Sequence, residues 1–389
     1  MTVKSSQIVA PIFIDGSALK IPTLRILKAD GSLIKGAQAP NIKRELAQKI
    51  YSDMVYTRTL DERMVGAQRQ GRLSFYITCT GEEASVAGTT AAFSPDDMIM
   101  GQYREQVALR CRGFTTEQFM NQLFSNASDL GKGRQMPSHY GSRKLNFMTI
   151  RSPLATQIPQ AAGYAYGQKL AGKNASTLCY FGDGAASEGD FHAGLNMAAV
   201  LKSPVVFVAR NNGYAISTPS TEQYAGDGIA PRGVGYGIKT IRVDGNDILA
   251  VYAAAVEGRS IAIKEQCPVL IETMSYRLGA HSTSDDPSGY RSAEEEEEWR
   301  QKDPISRMKN WLIKQDWWDE SRDEELQKNF RKEILQELKL AERRPKPPLA
   351  DIINDVYKTP PGHLLEQLKS LESHVAKYPD NYRAHGENA

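Results

Sequence analysis

The chain reads as an α/β protein: a parallel sheet flanked by helices, with an extended N-terminal arm and a helical C-terminal tail. Three observations predict this. Residues 177–217 run strand, glycine turn, helix, strand, polar turn. Residues 177–181 are apolar and β-prone, as in a strand buried on both faces. Phe191, Leu195, Ala198, Ala199 and Leu201 then recur at helical spacing, and residues 204–208 form a second buried strand. Further apolar stretches at 98–100, 240–243 and 268–276 each run into a polar cluster, and α/β proteins place ligands at that edge. Finally, 389 residues that are 41% hydrophobic suffice for one large core or two ordinary ones.

The elements follow in order. Residues 1–40 form the arm, punctuated by Pro11, Gly16, Pro22, Gly31, Gly36 and Pro40. No packed core is expected there, beyond a small hairpin around Asp30-Gly31 over 24–34. Residues 41–345 form the α/β domain. Leu46, Ile50, Met54, Leu60 and Met64 mark a helix over 41–70. Residues 71–80 are strand-like or irregular, and Glu82-Glu83 open an alanine-rich helix reaching Phe93. The glycine- and cation-rich loop 131–140 is no P-loop, because no GxxxxGK[ST] occurs anywhere in the chain. A helix over 158–170 is rich in small residues and suits close packing. Residues 217–237 carry five glycines and read as a flexible surface loop. The GVGYG within it neither follows a strand nor opens a helix, so dinucleotide binding is rejected. An alanine-rich helix runs from Asp247 to Lys264. Glu294 to Glu298 read as a solvated helix start. Charge-laced helices with Trp311, Trp317 and Trp318 fill 299–344, and Pro345, Pro347 and Pro348 end them. Residues 346–389 form a tail, with a helix over 364–375, expected to dock on a partner subunit.

Composition narrows the function classes. A net charge of +2 with no basic face argues against nucleic acid, and no apolar run is long enough to span a membrane. The N-terminus lacks secretory and transit patterns, so a cytoplasmic location is expected, or the mitochondrial matrix for a processed eukaryotic chain. Cys79, Cys111, Cys179 and Cys267 are isolated and read as reduced, buried hydrophobes rather than zinc ligands.

The polar clusters suggest the chemistry. Parallel strands joined by a helix bring their ends to one rim, so the Asp183 carboxylate and the Asn212 amide arrive together. With a nearby backbone carbonyl they suit Mg²⁺ or Ca²⁺, whose shell phosphate oxygens often complete, while a helix start after Gly184 offers free N–H groups. A plain βαβ unit with a glycine turn is the bland alternative. In Gly101-Gln102-Tyr103-Arg104-Glu105, Arg104 either forks onto a phosphate beside the Tyr103 hydroxyl or pairs with an acid. Thr156 and Gln157 offer hard oxygens or cap a helix. His139 is satisfied by backbone or borders the pocket. Residues 276–291, YRLGAHSTSDDPSGYR, suit an ordered loop carrying His281.

GDG, the 26 residues 185–210, then NN resembles the thiamine diphosphate motif. With NNGYAIST after it, the unit is similar to the E1 α subunits of the 2-oxo acid dehydrogenase complexes. The resemblance spans about residues 40–360. The segments RSPLATQIPQ, STPSTEQYAGDGIAPRGVGYGI, HSTSDDPSGYR and RPKPP favour the branched-chain members. It implies a thiamine-diphosphate-binding fold, with Mg²⁺ on Asp183, Asn212 and the Tyr214 carbonyl. Tyr103, Arg104 and Arg210 would meet the diphosphate, and Ser152, Leu154, Gly184 and Ala185 would line the cofactor. His281, the catalytic candidate, would bond a phosphate or move protons near neutral pH. Phe75, Gln102 and Leu154 would form the substrate pocket. Ser152, Pro153, Thr156 and Gln157 would hold K⁺, and Ser282 aligns with a serine whose phosphorylation silences mitochondrial members. Ala280 stands where some members carry a second histidine. No residue is placed to activate the aminopyrimidine, since Glu188 belongs to the helix beside the diphosphate. The resemblance therefore implies a β subunit that supplies a glutamate, an α₂β₂ assembly, and the E2 lipoyl group as acyl acceptor. The implied reaction is oxidative decarboxylation of branched-chain 2-oxo acids such as 3-methyl-2-oxobutanoate. The alternatives are a pyruvate or acetoin dehydrogenase α subunit and, in another class, a non-enzymatic Mg²⁺/nucleotide-binding regulatory protein.

Overall fold

The computed structural model describes residues 9–382; the first eight residues of the expected arm and the last seven of the tail lie outside the described residues. Its centre is a seven-stranded, all-parallel sheet. In chain order the elements are β1 (Thr23–Leu24), α1 (Arg44–Arg69), α2 (Glu83–Ala91), β2 (Met98–Met100), α3 (Gln106–Cys111), α4 (Thr116–Leu123), β3 (Phe147–Met148) and α5 (Gln157–Leu170). There follow β4 (Thr177–Gly182), α6 (Gly189–Leu201), β5 (Val205–Asn211), the hairpin β6 (Tyr214–Ala215) and β7 (Thr218–Pro219), α7 (Ser220–Gln223), α8 (Ala230–Gly235), β8 (Lys239–Asp244), α9 (Ile248–Glu265) and β9 (Val269–Met274). The helices α10 (Ala293–Arg300), α11 (Pro304–Lys314), α12 (Glu320–Glu342), α13 (Asp351–Asn354) and α14 (Gly362–Lys377) complete the chain.

The sheet order is β1-β8-β9-β5-β4-β2-β3. Side chains alternate across a strand, so β4 sends Leu178 and Tyr180 to one face and Cys179 and Phe181 to the other. The first face packs under α1, α2, α4, α9, α11 and α12; the second packs under the small-residue helices α5 and α6. The expected βαβ unit is present. Strands β4 and β5 pair in parallel from Thr177–Val205 to Gly182–Arg210, so their C-terminal ends share a rim.

Three expectations need correction. The arm is not free of the core: β1 extends the sheet edge beside β8, and Ile26 and Leu27 are buried. The reason is Asp247, whose carboxylate accepts the Ile26 and Leu27 N–H groups, both at 2.6 Å, while also capping α9 through Leu249 and Ala250. The hairpin around Asp30-Gly31 does form, with Leu27 bridged to Leu33. Residues 217–237 are not a flexible loop. They hold α7 and α8, and a Cβ on Gly233 would stand 2.4 Å from the Thr240 hydroxyl, so that glycine serves close packing. The glutamate run is not merely solvated, since Glu295 accepts the Tyr214 hydroxyl at 3.0 Å and Glu296 pairs with Arg291 at 3.2 Å. Residues 71–80 are irregular, yet Leu73, Tyr76, Ile77 and Cys79 are buried; the Asp61 carboxylate gathers the Tyr76 hydroxyl and the Cys79 N–H.

Asp247→Ala removes two buried arm bonds and a helix cap together. Denaturant unfolding is expected to show a loss of about 2–4 kcal/mol, with easier proteolysis before residue 40. An unchanged midpoint would refute the clamp.

Candidate active site

The C-terminal ends of β2, β4, β5 and β9 meet above the sheet around a cavity of about 410 Å³. Its walls include Phe75, Gln102, Tyr103, Arg104, Ser152, Leu154, Asp183, Gly184, Ala185, Arg210, Asn212, Tyr214 and His281. Every residue expected to touch cofactor, divalent metal or substrate therefore faces one space.

Asp183 leaves β4 at the glycine turn and is buried. A Cβ on Gly184 would lie 2.9 Å from the Ala215 Cβ, which shows how tightly this turn seats against β6. The Asp183 carboxylate accepts the Gln223 amide at 2.8 Å, and burial pushes its pKa up. A cation beside it would reverse that shift. Two residues past the β4-paired end of β5, the Asn212 amide donates to Glu82 at 2.8 Å, and its oxygen accepts the Tyr214 N–H at 3.2 Å. The described residues contain no cluster of three His, Cys, Asp or Glu side chains that would suit a metal. A metal site here would instead combine one carboxylate with amide and carbonyl oxygens, which suits a hard cation.

Three arginines surround the cavity. Arg104 donates to the Thr78 and His281 carbonyls, the latter at 2.6 Å, and its Nη2 stands 3.3 Å from His281 Nδ1. Arg210 lies between two buried carboxylates, Glu82 at 2.5 Å and Glu105 at 2.6 Å. Burial opposes the Glu82 charge, but Arg210, Arg104 and the Asn212 amide outweigh it and hold that carboxyl below its ordinary range. Glu105 is pushed up by burial in spite of Arg210. Arg277 donates to the Ile216 carbonyl at 2.8 Å and to the Tyr290 hydroxyl at 2.9 Å. The loop carrying it is ordered further by Tyr276 stacked on Trp299 and by Asp285, which accepts the His281 N–H at 2.7 Å.

The ring-nitrogen partners of the two cavity histidines differ. An arginine only donates, so His281 Nδ1 accepts from Arg104 and Nε2 carries the proton. Burial, then Arg104 and Arg277, lowers the His281 pKa to about 4. In the unliganded site burial and the two arginines favour the neutral ring, which suits the hydrogen-bonding role expected of it beside proton transfer. His139 Nδ1 donates to the Pro137 carbonyl at 3.1 Å, leaving Nε2 to accept the Ser152 hydroxyl at 2.9 Å. It is thus both satisfied by backbone and part of the cavity wall.

The quartet expected around potassium is divided. Ser152 turns to His139, and the Thr156 hydroxyl donates to the Pro153 carbonyl at 3.0 Å without capping α5. Gln157 donates to the Tyr180 carbonyl. Ser282 is half-buried beside His281, its hydroxyl accepting from Ser284 N–H.

Sequence reasoning missed Glu82, Arg277 and Ile216, and gave Glu105 no role. Helix α2 is built almost wholly of small residues and carries no charge after Glu83, so it has no solvated face and the glutamates at its start need buried partners; that signal was available. Ile216, a β-branched residue held at φ 58°, had none.

The His281 pKa lies below its unfolded value of 6.5. Its contribution to stability is therefore full above pH 6.5 and lost as pH falls towards about 4. In urea unfolding across that window, the wild type should lose more stability than His281→Gln; parallel curves would contradict the assignment.

Residues 51–350 match the family described as "Dehydrogenase E1 component". The chain is 50% identical over 369 residues to "2-oxoisovalerate dehydrogenase subunit alpha 1, mitochondrial" of Arabidopsis thaliana, covering 95% of this chain and 78% of that protein. It is 50% identical over 363 residues to the human "2-oxoisovalerate dehydrogenase subunit alpha, mitochondrial", covering 93% and 82%. The Dictyostelium discoideum protein of the same name is 51% identical over 364 residues, covering 93% and 82%. With the match spanning most of the chain and every cavity-forming strand end, this protein belongs to the dehydrogenase E1 component family.

Proposed function

We propose that the chain is the α subunit of a thiamine-diphosphate-dependent E1 enzyme that oxidatively decarboxylates branched-chain 2-oxo acids such as 3-methyl-2-oxobutanoate. The observation that carries this is the meeting, at one sheet rim, of a buried carboxylate, an oriented amide and clamped arginines. Asp183, the Asn212 oxygen and the Tyr214 carbonyl would hold Mg²⁺. Tyr103, Arg104 and Arg210 would meet the diphosphate, and Ser152, Leu154, Gly184 and Ala185 would line the rest. The donor set fits: among the described residues the buried Asp183 carboxylate has no ion-pair partner, accepting the Gln223 amide, and the Arg210 Nε–H has no partner. When bound, thiamine diphosphate takes up the electrons of the C–C bond as CO₂ leaves.

The chain's own part is binding and orientation. His281 offers Nε2–H to an anion or a 2-oxo oxygen without adding charge. Phe75, Ile77, Leu154 and Ile216 give the cavity an apolar side for a branched tail, with Gln102 at its base holding the Gly182 N–H at 2.8 Å. Among the carboxylates near the cavity, Glu82 and Glu105 hold Arg210, Asp183 belongs to the metal corner, and Glu188 stands at the start of α6 on the diphosphate side. The glutamate that activates the cofactor's pyrimidine end is assigned to the partner β subunit of an α₂β₂ assembly, with the E2 lipoyl group taking the acyl unit. K⁺ is the weaker metal assignment, with the Thr156 and Pro153 oxygens 3.0 Å apart as its core. A phosphate on Ser282 would set new negative charge beside Asp285 and the anion corner, opposing cofactor binding. In a eukaryotic host the mitochondrial matrix is the matching compartment, in a bacterium the cytoplasm.

With the β subunit, Mg²⁺ and thiamine diphosphate, kcat/KM for 3-methyl-2-oxobutanoate should exceed that for pyruvate by roughly tenfold or more; the reverse order would transfer the chain to the pyruvate enzymes. Asp183→Asn should weaken Mg²⁺-dependent cofactor binding by at least about tenfold in calorimetry. Cofactor binding that ignores both Mg²⁺ and this substitution would remove the metal assignment.

A further inference from the structure

Arg210 lies near the end of β5 and Asn212 one residue beyond it, and both side chains turn to the same acid. One buried carboxylate holds both. Glu82 accepts the Asn212 amide nitrogen on one oxygen at 2.8 Å and Arg210 Nη1 on the other at 2.5 Å. Glu105 faces Arg210 Nη2 at 2.6 Å and the backbone of Gln102 and Tyr103, with no bond to Asn212 among the described residues.

This arrangement leaves each partner one direction. An amide whose nitrogen is fastened has its oxygen fixed on the opposite side, so Glu82 decides where Asn212 Oδ1 points. An arginine whose Nη1 and Nη2 each face a carboxylate still has its Nε–H to offer, and among the described residues Arg210 Nε has no partner. The backbone makes room for both acids. Gly81 has φ +97°, and a Cβ there would stand 2.2 Å from the Tyr276 carbonyl; a Cβ on Gly101 would stand 2.8 Å from Glu105 Oε2. Glu82 is fully buried and touches no position assigned to substrate, so its effect passes through its partners.

We infer that Glu82 is a positioning residue that sets both halves of the cofactor site at once, aiming the Asn212 oxygen at the divalent cation and presenting Arg210 to the diphosphate, whereas Glu105 positions Arg210 alone. The inference rests on the thiamine diphosphate reading above. It predicts that the two carboxylates, although both bound to Arg210, have different ligand signatures.

The test uses the assembled α and β subunits and two titrations followed by calorimetry: thiamine diphosphate at saturating Mg²⁺, and Mg²⁺ at saturating thiamine diphosphate. Glu82→Gln is expected to weaken both by about 10–100-fold, as loss of outer-sphere partners does at metal sites. Glu105→Gln is expected to weaken only the first. Glu82→Asp keeps the charge but draws it back, and should weaken both in the same proportion as each other, which protects the test if the glutamine variant fails to fold. Unchanged binding in the Glu82 variants, or identical signatures for Glu82 and Glu105 variants, would overturn the role. Wild-type protein that binds no thiamine diphosphate with Mg²⁺ would instead overturn the functional reading beneath it.

Discussion

The site depends on a buried cation that cannot stand alone. Arg210 is almost wholly removed from solvent at the end of a central strand, where an unpaired guanidinium would carry several kcal/mol of desolvation cost. Glu82 and Glu105 neutralise it, and they approach from different elements: one from the start of α2, the other from the polar segment after β2. The pairing therefore ties three parts of the chain together at the rim. Because Glu82 also fastens Asn212, the geometry of the metal corner is inherited from a charge pair inside the protein.

The same economy of charge explains the histidine. Arg104 and Arg277 lie close enough to make a second positive charge on His281 unfavourable, and burial adds to this. The ring is thus a neutral donor at rest. An anion in the cavity would relieve the repulsion and raise its pKa, so protonation of His281 is coupled to occupancy and not to bulk pH alone.

Much of this was legible in the chain. The parallel βαβ unit, the shared rim of Asp183 and Asn212, and the polar run after β2 follow from apolar periodicity and from where α/β sheets place their loops. What was not legible involved partners distant in sequence. The arm looked coreless because prolines and glycines cut its apolar residues into short pieces, and the Asp247 carboxylate, more than two hundred residues away, holds Ile26 and Leu27 inside. The five glycines of 217–237 suggested freedom, whereas Gly233 is small because a neighbouring strand lies against it. Glu82 was passed over because a glutamate at a helix start has an ordinary surface explanation, and only the small, uncharged residues that follow it in the helix argue otherwise.

The outermost strands of the sheet, β1 and β3, are each two residues long. A long bare edge is a template on which other chains can add strands. Here the arm pairs with Arg242 and Val243 of β8 and a two-residue stub ends the other side, so a strand added beyond β1 or β3 would meet only a two-residue template.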